Sequence, residues 1–175
     1  MKMIFRYIAF CLFTLISIAY FLPKESIYFQ IEKYLKTKEI IISDEQIEEN
    51  SFGIVLKEGK LFFNKMSIAN IESIKFNTYM FLTNIEAKDI LLDESLSMYI
   101  PLKIDEIVIE NSFFNFNKIR IKSNGNFGEL SGNIDLFKNV LKIVLTPSVK
   151  MKKKSFLLEK MKKGEDEKYT YEYKF

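Results

Sequence analysis

The chain has 175 residues, 48% hydrophobic and 28% charged, which suits one packed domain plus an anchor and excludes wholesale disorder. Its formal net charge of +3 is carried almost entirely by lysine, with arginine only at Arg6 and Arg120, so base-edge readout is disfavoured and no nucleic-acid partner is expected. Histidine is absent and Cys11 is the only cysteine, which removes the commonest general base and metal ligand and excludes an internal disulfide.

Residues 4–22 read IFRYIAFCLFTLISIAYFL, and Arg6 is their only charge. An apolar layer of about 30 Å needs ~20 helical residues, so this run is just sufficient. Pro23 then stops the helix. A single-pass signal anchor over 1–23 is expected. Two alternatives stay open: a signal cleaved near Ser17-Ile18-Ala19, and a buried core helix. Lys2 and Arg6 precede the run, whereas Lys24, Lys33, Lys36 and Lys38 follow it. The basic N-terminus abutting the span favours an N-in orientation. The expected location is therefore an inner membrane, with the bulk of the chain in the periplasm.

Residues 24–37 form the next unit. Ile27, Ile31, Tyr34 and Leu35 repeat at i, i+4, i+7, i+8, so an amphipathic helix is expected, packed on the domain or lying on a membrane surface. From residue 38 the texture becomes that of strands. EIIIS, FGIVLKEGKLFFN, MSIANIESIKF, TYMFLTNIEA, IPLKIDEIVIE, FNKIRIKS and VLKIVLTP alternate with Asn, Ser, Asp and Gly. Glu58-Gly59 and Asn124-Gly125 are hairpin signals. The spacing predicts an antiparallel meander over 38–149, an open twisted sheet or β-roll rather than a closed barrel.

Within NGNFGELSGNIDLFKNVLKIVLTP, Gly128 and Gly132 are expected to bracket a tight turn. Residues 133–137 then form a strand, Lys138-Asn139 reverse the chain, and 140–146 return. Leu141, Ile143 and Leu145 share one strand face. The other face carries Lys142 and Thr146 with Val140 and Val144, so the sheet is either covered or lines an apolar groove.

Residues 150–164 are read as a basic amphipathic helix or loop, with Met151, Phe156, Leu157, Leu158 and Met161 as its apolar members and Gly164 at its end. Lys150, Lys152, Lys153 and Lys154 are candidates for contact with an anionic membrane surface. A solvated surface helix is the plainer alternative. The unit 165–175 ends in KYTYEYKF. Tyr169, Tyr171, Tyr173 and Phe175 share one face of an extended strand and form a candidate contact face for a partner or lipid, together with Leu141, Ile143 and Leu145.

Paired acids such as Asp44-Glu45, Glu48-Glu49 and Asp105-Glu106 sit in turn-like or strand-edge settings, where solvated carboxylates are the rule. No nucleotide, calcium-loop or serine-hydrolase fingerprint occurs. A non-enzymatic protein without a cofactor or metal is expected.

The layout of one N-terminal span, FLPKESIYFQIEKYL, a meander holding GELSGNIDL and NVLKIVLTP, and a closing aromatic strand resembles the N protein of type II secretion systems. More distantly it is similar to AsmA-like periplasmic proteins. The first resemblance implies an inner-membrane anchored accessory or scaffold protein of a type II secretion, pilus or DNA-uptake machine, acting through contacts with other machinery proteins. The second implies a lipid-binding or lipid-transfer module with an apolar groove for phospholipid. The chain is short for the first family and lacks much of its middle sheet.

Overall fold

β-Branched runs separated by short turns leave each strand beside its sequence neighbour, and a meander results. The computed structural model describes residues 2–21, 24–50, 53–79, 82–93, 96, 103–153 and 158–175. Two helices come first, α1 (Lys2–Phe21) and α2 (Lys24–Thr37). The strands that follow are β1 (Ile40–Ser43), β2 (Gln46–Asn50), β3 (Gly53–Phe63), β4 (Met66–Tyr79), β5 (Leu82–Leu92), β6 (Lys103–Ser112), β7 (Lys118–Gly125), β8 (Gly128–Asp135) and β9 (Val140–Pro147). A short helix α3 (Val149–Lys152), the two-residue strand β10 (Lys162–Lys163) and β11 (Tyr169–Lys174) complete the described chain.

All eleven strands belong to one sheet, in the order β1-β3-β4-β5-β6-β7-β8-β9-β11-β10, with β2 also pairing to β3. Every pairing is antiparallel. The expected antiparallel sheet, open rather than closed on itself, is therefore what forms.

Several local expectations shift. Glu58-Gly59 does not turn; β3 continues through it, and the β3–β4 hairpin turns at Asn64 and Lys65, both at positive φ (50° and 65°). The β7–β8 hairpin turns at Asn126 and Phe127, two residues beyond Asn124-Gly125. Gly128 and Gly132 both lie inside β8 instead of bracketing a turn. The TYMFLTNIEA segment divides between β4 and β5. The anticipated helix over 150–164 is not continuous: α3 ends at Lys152, residues 154–157 lie outside the described ones, and Lys162 and Lys163 are in β10.

In α2 the buried stripe differs in part from the expected one, and the side chain of Ile27 lies outside the described ones. Tyr28 is buried and Leu35 packs beside it, whereas Ile31 and Tyr34 are exposed. Tyr28 meets Phe76 at 6.2 Å between ring centroids, and its hydroxyl donates to Glu45 Oε1 at 2.6 Å. Around them gather Ile42, Ile54, Leu56, Ile71, Ile74 and Ala87. Each fully buried aliphatic side chain of this kind stabilises the fold by about 1.5–3 kcal/mol.

The four strands β3–β6 share an irregularity that keeps this core continuous. Lys57 pairs with Ser73 and Gly59 with Ile71, which sets Glu58 opposite Glu72. The neighbouring registers set Glu72 opposite Asp89 and Asp89 opposite Asp105. Glu58 and Asp89 have positive φ (57° and 47°), and the β6–β7 register shifts between Ile104 and Glu106. Side chains on one face of a regular strand are separated by even numbers of residues. Here Leu56 and Leu61, Ile71 and Ile74, and Ala87 and Ile90 join one cluster at odd separations. The row of acids thus marks a slip of phase across the sheet, after which each strand returns apolar side chains to the α2 side. Lys103 neutralises part of that row, with Nζ 2.9 Å from Asp89 Oδ1 and 3.2 Å from Asp105 Oδ1. Its hydrogen bond holds the Asp89 carboxyl below the usual range.

Among the described residues no helix is long and apolar enough to cross a membrane. The side chains at 2, 15 and 18–21 of α1 are not among those described. The anchor expected over 1–23 is thus unsupported by the described residues.

Candidate functional site

The face that α2 covers on β3–β5 continues across the rest of the sheet. Ala87 pairs with Ile107, Ile85 with Ile109, Ile109 with Ile121, Ile121 with Gly132, and Gly132 with Ile143. One row along, Ile119 pairs with Ile134 and Ile134 with Leu141. The rows end on β11, where Tyr171 pairs with Ile143 and Tyr173 with Leu141. β7–β9 keep register without a slip, so strict alternation puts all these side chains on one face.

The cover is uneven. α2 lies over the β3–β5 end of the face. At one end of β8, β9 and β11 a second cluster forms, in which Phe127, Leu145 and Leu158 are buried against Leu130, Met151, Met161 and Tyr169. Ile109, Ile119, Ile121, Ile134, Leu141 and Ile143 belong to neither cluster and are half-buried. They form an aliphatic band between the two covers.

The reverse face is charged. Lys57 pairs with Glu48 and Lys88 with Glu86, each at 2.7 Å, and Arg120 Nε lies 3.7 Å from Glu110. Its hydrogen bond to Lys88 holds the Glu86 carboxyl below its usual range. Exposed pairs of this kind contribute little to stability, but they keep this face in water. A cleft of about 480 Å³ at its β9–β11 corner is lined by Lys142, Lys160, Lys162 and Lys174 with Glu172.

The two ends of the strands also differ. Pairings of Leu82 with Ser112, Lys118 with Asp135 and Lys174 with Val140 place the β4–β5, β6–β7 and β8–β9 connections and the C-terminus at one end. Phe113, Phe114, Phe116, Leu136, Phe137 and Phe175 are all exposed there. Phe116 and Phe137 meet edge to face at 5.6 Å. α2 begins at this end too: the Glu25 N–H donates to Glu49 Oε1 at 3.0 Å, and Glu49 is one residue from the β2–β3 connection. At the far end the turn phenylalanine Phe127 is only 7% exposed, and Ser148 ties the turn closed by donating Oγ–H to the Asn126 carbonyl at 2.6 Å.

The residues singled out from sequence fall into three groups. Leu141 and Ile143 lie in the uncovered band, while Leu145 is buried under the second cover. Tyr169 packs in that second cluster, but Tyr171, Tyr173 and Phe175 are 37%, 51% and 56% exposed. β10 pairs only with Tyr169 and Thr170, so among the described residues the outer edge of β11 from Tyr171 onward carries no strand. Lys150, Lys152 and Lys153 are exposed at the end remote from the start of α2, and Lys152 forms an ion pair with Glu167. Lys154 lies outside the described residues. Sequence reasoning missed the exposed phenylalanines; their position in short connections between strands was the available signal. Among the described residues no group of three or more acidic or cysteine side chains is placed to hold a metal ion.

No family model matches the chain, and neither a curated protein nor a solved structure matches it significantly.

Proposed function

We propose that this protein is a membrane-anchored module that holds lipid acyl chains on one face of its sheet. The observation that carries the reading is the aliphatic band of Ile109, Ile119, Ile121, Ile134, Leu141 and Ile143, half-buried between two covered regions. Such a band has few polar groups, Asn111 and Ser123 at its margins, and is as long as several strand spacings of ~4.8 Å, which suits an extended hydrocarbon chain. The anchor is part of the same reading. Residues 3–14 of α1 are exposed on every side, and a helix apolar all round needs either a protein interior or a bilayer. In this reading the domain stands in the periplasm beside the inner membrane.

The test is lipid extraction and native mass spectrometry of detergent-purified protein. Co-purifying phospholipid is expected, and Ile121→Lys should abolish it while leaving the far-ultraviolet circular dichroism unchanged. Lipid-free wild-type protein would refute the reading.

A second reading is favoured by the outer edge of β11. There a segment of another protein can add as a strand beside Tyr171, Glu172 and Tyr173, as in an accessory subunit of a secretion, pilus or DNA-uptake machine. Amides of that edge should then gain hydrogen-exchange protection only with the partner present. Equal protection in the isolated protein would count against it.

A further inference from the structure

We propose that the phenylalanine rim at one end of the sheet is a bilayer-insertion surface. Its members come from three separate places in the chain: Phe113, Phe114 and Phe116 between β6 and β7, Phe137 between β8 and β9, and Phe175 after β11. The meander brings them to one end, with Phe114 75% and Phe137 73% exposed. Side chains of this size are seldom left in water in such a group, and the far end shows the alternative. There Phe63 and Met66, flanking the β3–β4 turn, are 42% and 65% exposed, but Phe127, in the β7–β8 turn, is packed against Leu145 and Leu158. The difference is therefore not a general failure of turn residues to find cover.

Three features identify the occupant as a lipid surface. The first is direction. α2 begins at the rim end, fixed there by the Glu25–Glu49 hydrogen bond, so the chain leading back to the apolar α1 departs from the same end. The second is charge. Lys118, Lys138 and Lys174 are exposed beside the phenylalanines, whereas Asp135 is engaged in capping the β8–β9 turn, accepting from the Phe137 and Lys138 N–H groups at 3.1 Å each, and Glu25 and Glu49 are hydrogen-bonded to each other, N–H to carboxylate, where α2 begins. Cations around an apolar tip attract anionic headgroups while the rings enter the acyl boundary. The third is form. The aromatics sit on tight turns whose backbone is anchored in the sheet, so insertion orders little that is not already ordered.

The rim also meets the aliphatic band: the β6–β7, β8–β9 and C-terminal positions are the ends of the very strands that carry it. A chain leaving the bilayer at the rim would pass directly onto Ile119, Ile134 and Leu141. This inference takes its direction from the anchor reading, and the experiment separates the two.

The chain contains no tryptophan, so single substitutions give clean reporters. Full-length protein carrying Phe114→Trp, Phe137→Trp, Leu12→Trp or Met66→Trp is reconstituted into phosphatidylcholine–phosphatidylglycerol vesicles with brominated acyl chains. Met66 is an exposed residue at the far end of the sheet, and Leu12 lies in α1. Both rim reporters should lose intensity roughly twofold relative to unbrominated vesicles and emit at shorter wavelength, with Met66→Trp unaffected. Unquenched rim reporters, or Met66→Trp quenched as strongly as the rim, overturn the proposal. Quenching of Leu12→Trp tests the anchor independently: a quenched Leu12→Trp beside an unquenched rim leaves the anchor standing and removes the rim.

Discussion

The β3–β5 and β7–β9 parts of the sheet present the same face with the same chemistry, yet the first is sealed by a helix while the middle of the second is left half-buried. Under α2, Leu56 is 1% exposed and the strands slip phase at Glu58, Glu72 and Asp89 to keep apolar side chains beneath the helix. On β7–β9 the register is unbroken and Ile121 and Ile143 remain half-buried. The half-buried part is thus not weaker in composition. Among the described residues no helix covers it, and regular alternation alone suffices to present it. Apolar patches of this kind on an ordered scaffold mark binding surfaces.

The largest effect should come from breaking the sealed part. Leu56→Ala leaves a cavity beneath α2 and should cost about 2–5 kcal/mol in denaturant unfolding, whereas Ile121→Ala, at a half-buried position outside both clusters, should cost less than about 1.5 kcal/mol. Equal costs would mean that the band is covered in solution. The β7–β9 part should yield instead through its backbone, at the turn beneath the second cluster. Gly128 has a φ of +117°, and a Cβ there would meet the Thr146 carbonyl oxygen at 2.1 Å. Gly128→Ala should therefore cost about 1–3 kcal/mol and lower the thermal midpoint.

A smaller effect sharpens the comparison at the helix. Burial raises the Tyr28 hydroxyl above its ordinary value, and its hydrogen bond to Glu45 adds to this. Tyr28→Phe should cost about 1 kcal/mol near neutral pH. A raised folded-state pKa means that the tyrosine's contribution is complete below its ordinary value of about 10 and is lost as pH rises toward the folded value. The gap between wild type and Tyr28→Phe, read as urea midpoints, should therefore shrink above pH ~10. A constant gap would dissociate the hydroxyl from the core. The smallest effect belongs to the rim of the sealed region, where Lys60 Nζ lies 2.9 Å from Asp44 and holds that carboxyl below its usual range. Both groups are fully exposed, so Asp44→Ala should leave the midpoint within experimental error.

Much of the sheet was legible because strand periodicity is local. Alternation in residues 140–146 identifies Leu141, Ile143 and Leu145 as one face without any partner strand. The phase slip was not legible, since it depends on four registers aligning, and Glu58-Gly59 read alone as a turn. Within the α2 stripe Leu35 packs as expected, but Ile31 and Tyr34 do not, for a related reason: Ile31 is more apolar than Tyr28, but Tyr28 has Phe76 to pack against and Glu45 to receive its hydroxyl. Leu141 and Leu145 shared a face in the sequence, but only the path of the chain after β9 decided that Leu145 would be covered.

By itself, the order of residues determined a mainly β domain, an antiparallel meander and the two chemistries of its faces, because alternation and turn composition act within a few residues. Only the tertiary structure decided which stretch of apolar face stays bare, that Phe127 is buried while Phe114 and Phe137 are not, and that the latter share an end with the start of α2. Those outcomes depend on which distant segments pack against a surface, and a side chain's exposure is set by what lies over it rather than by its neighbours in the chain.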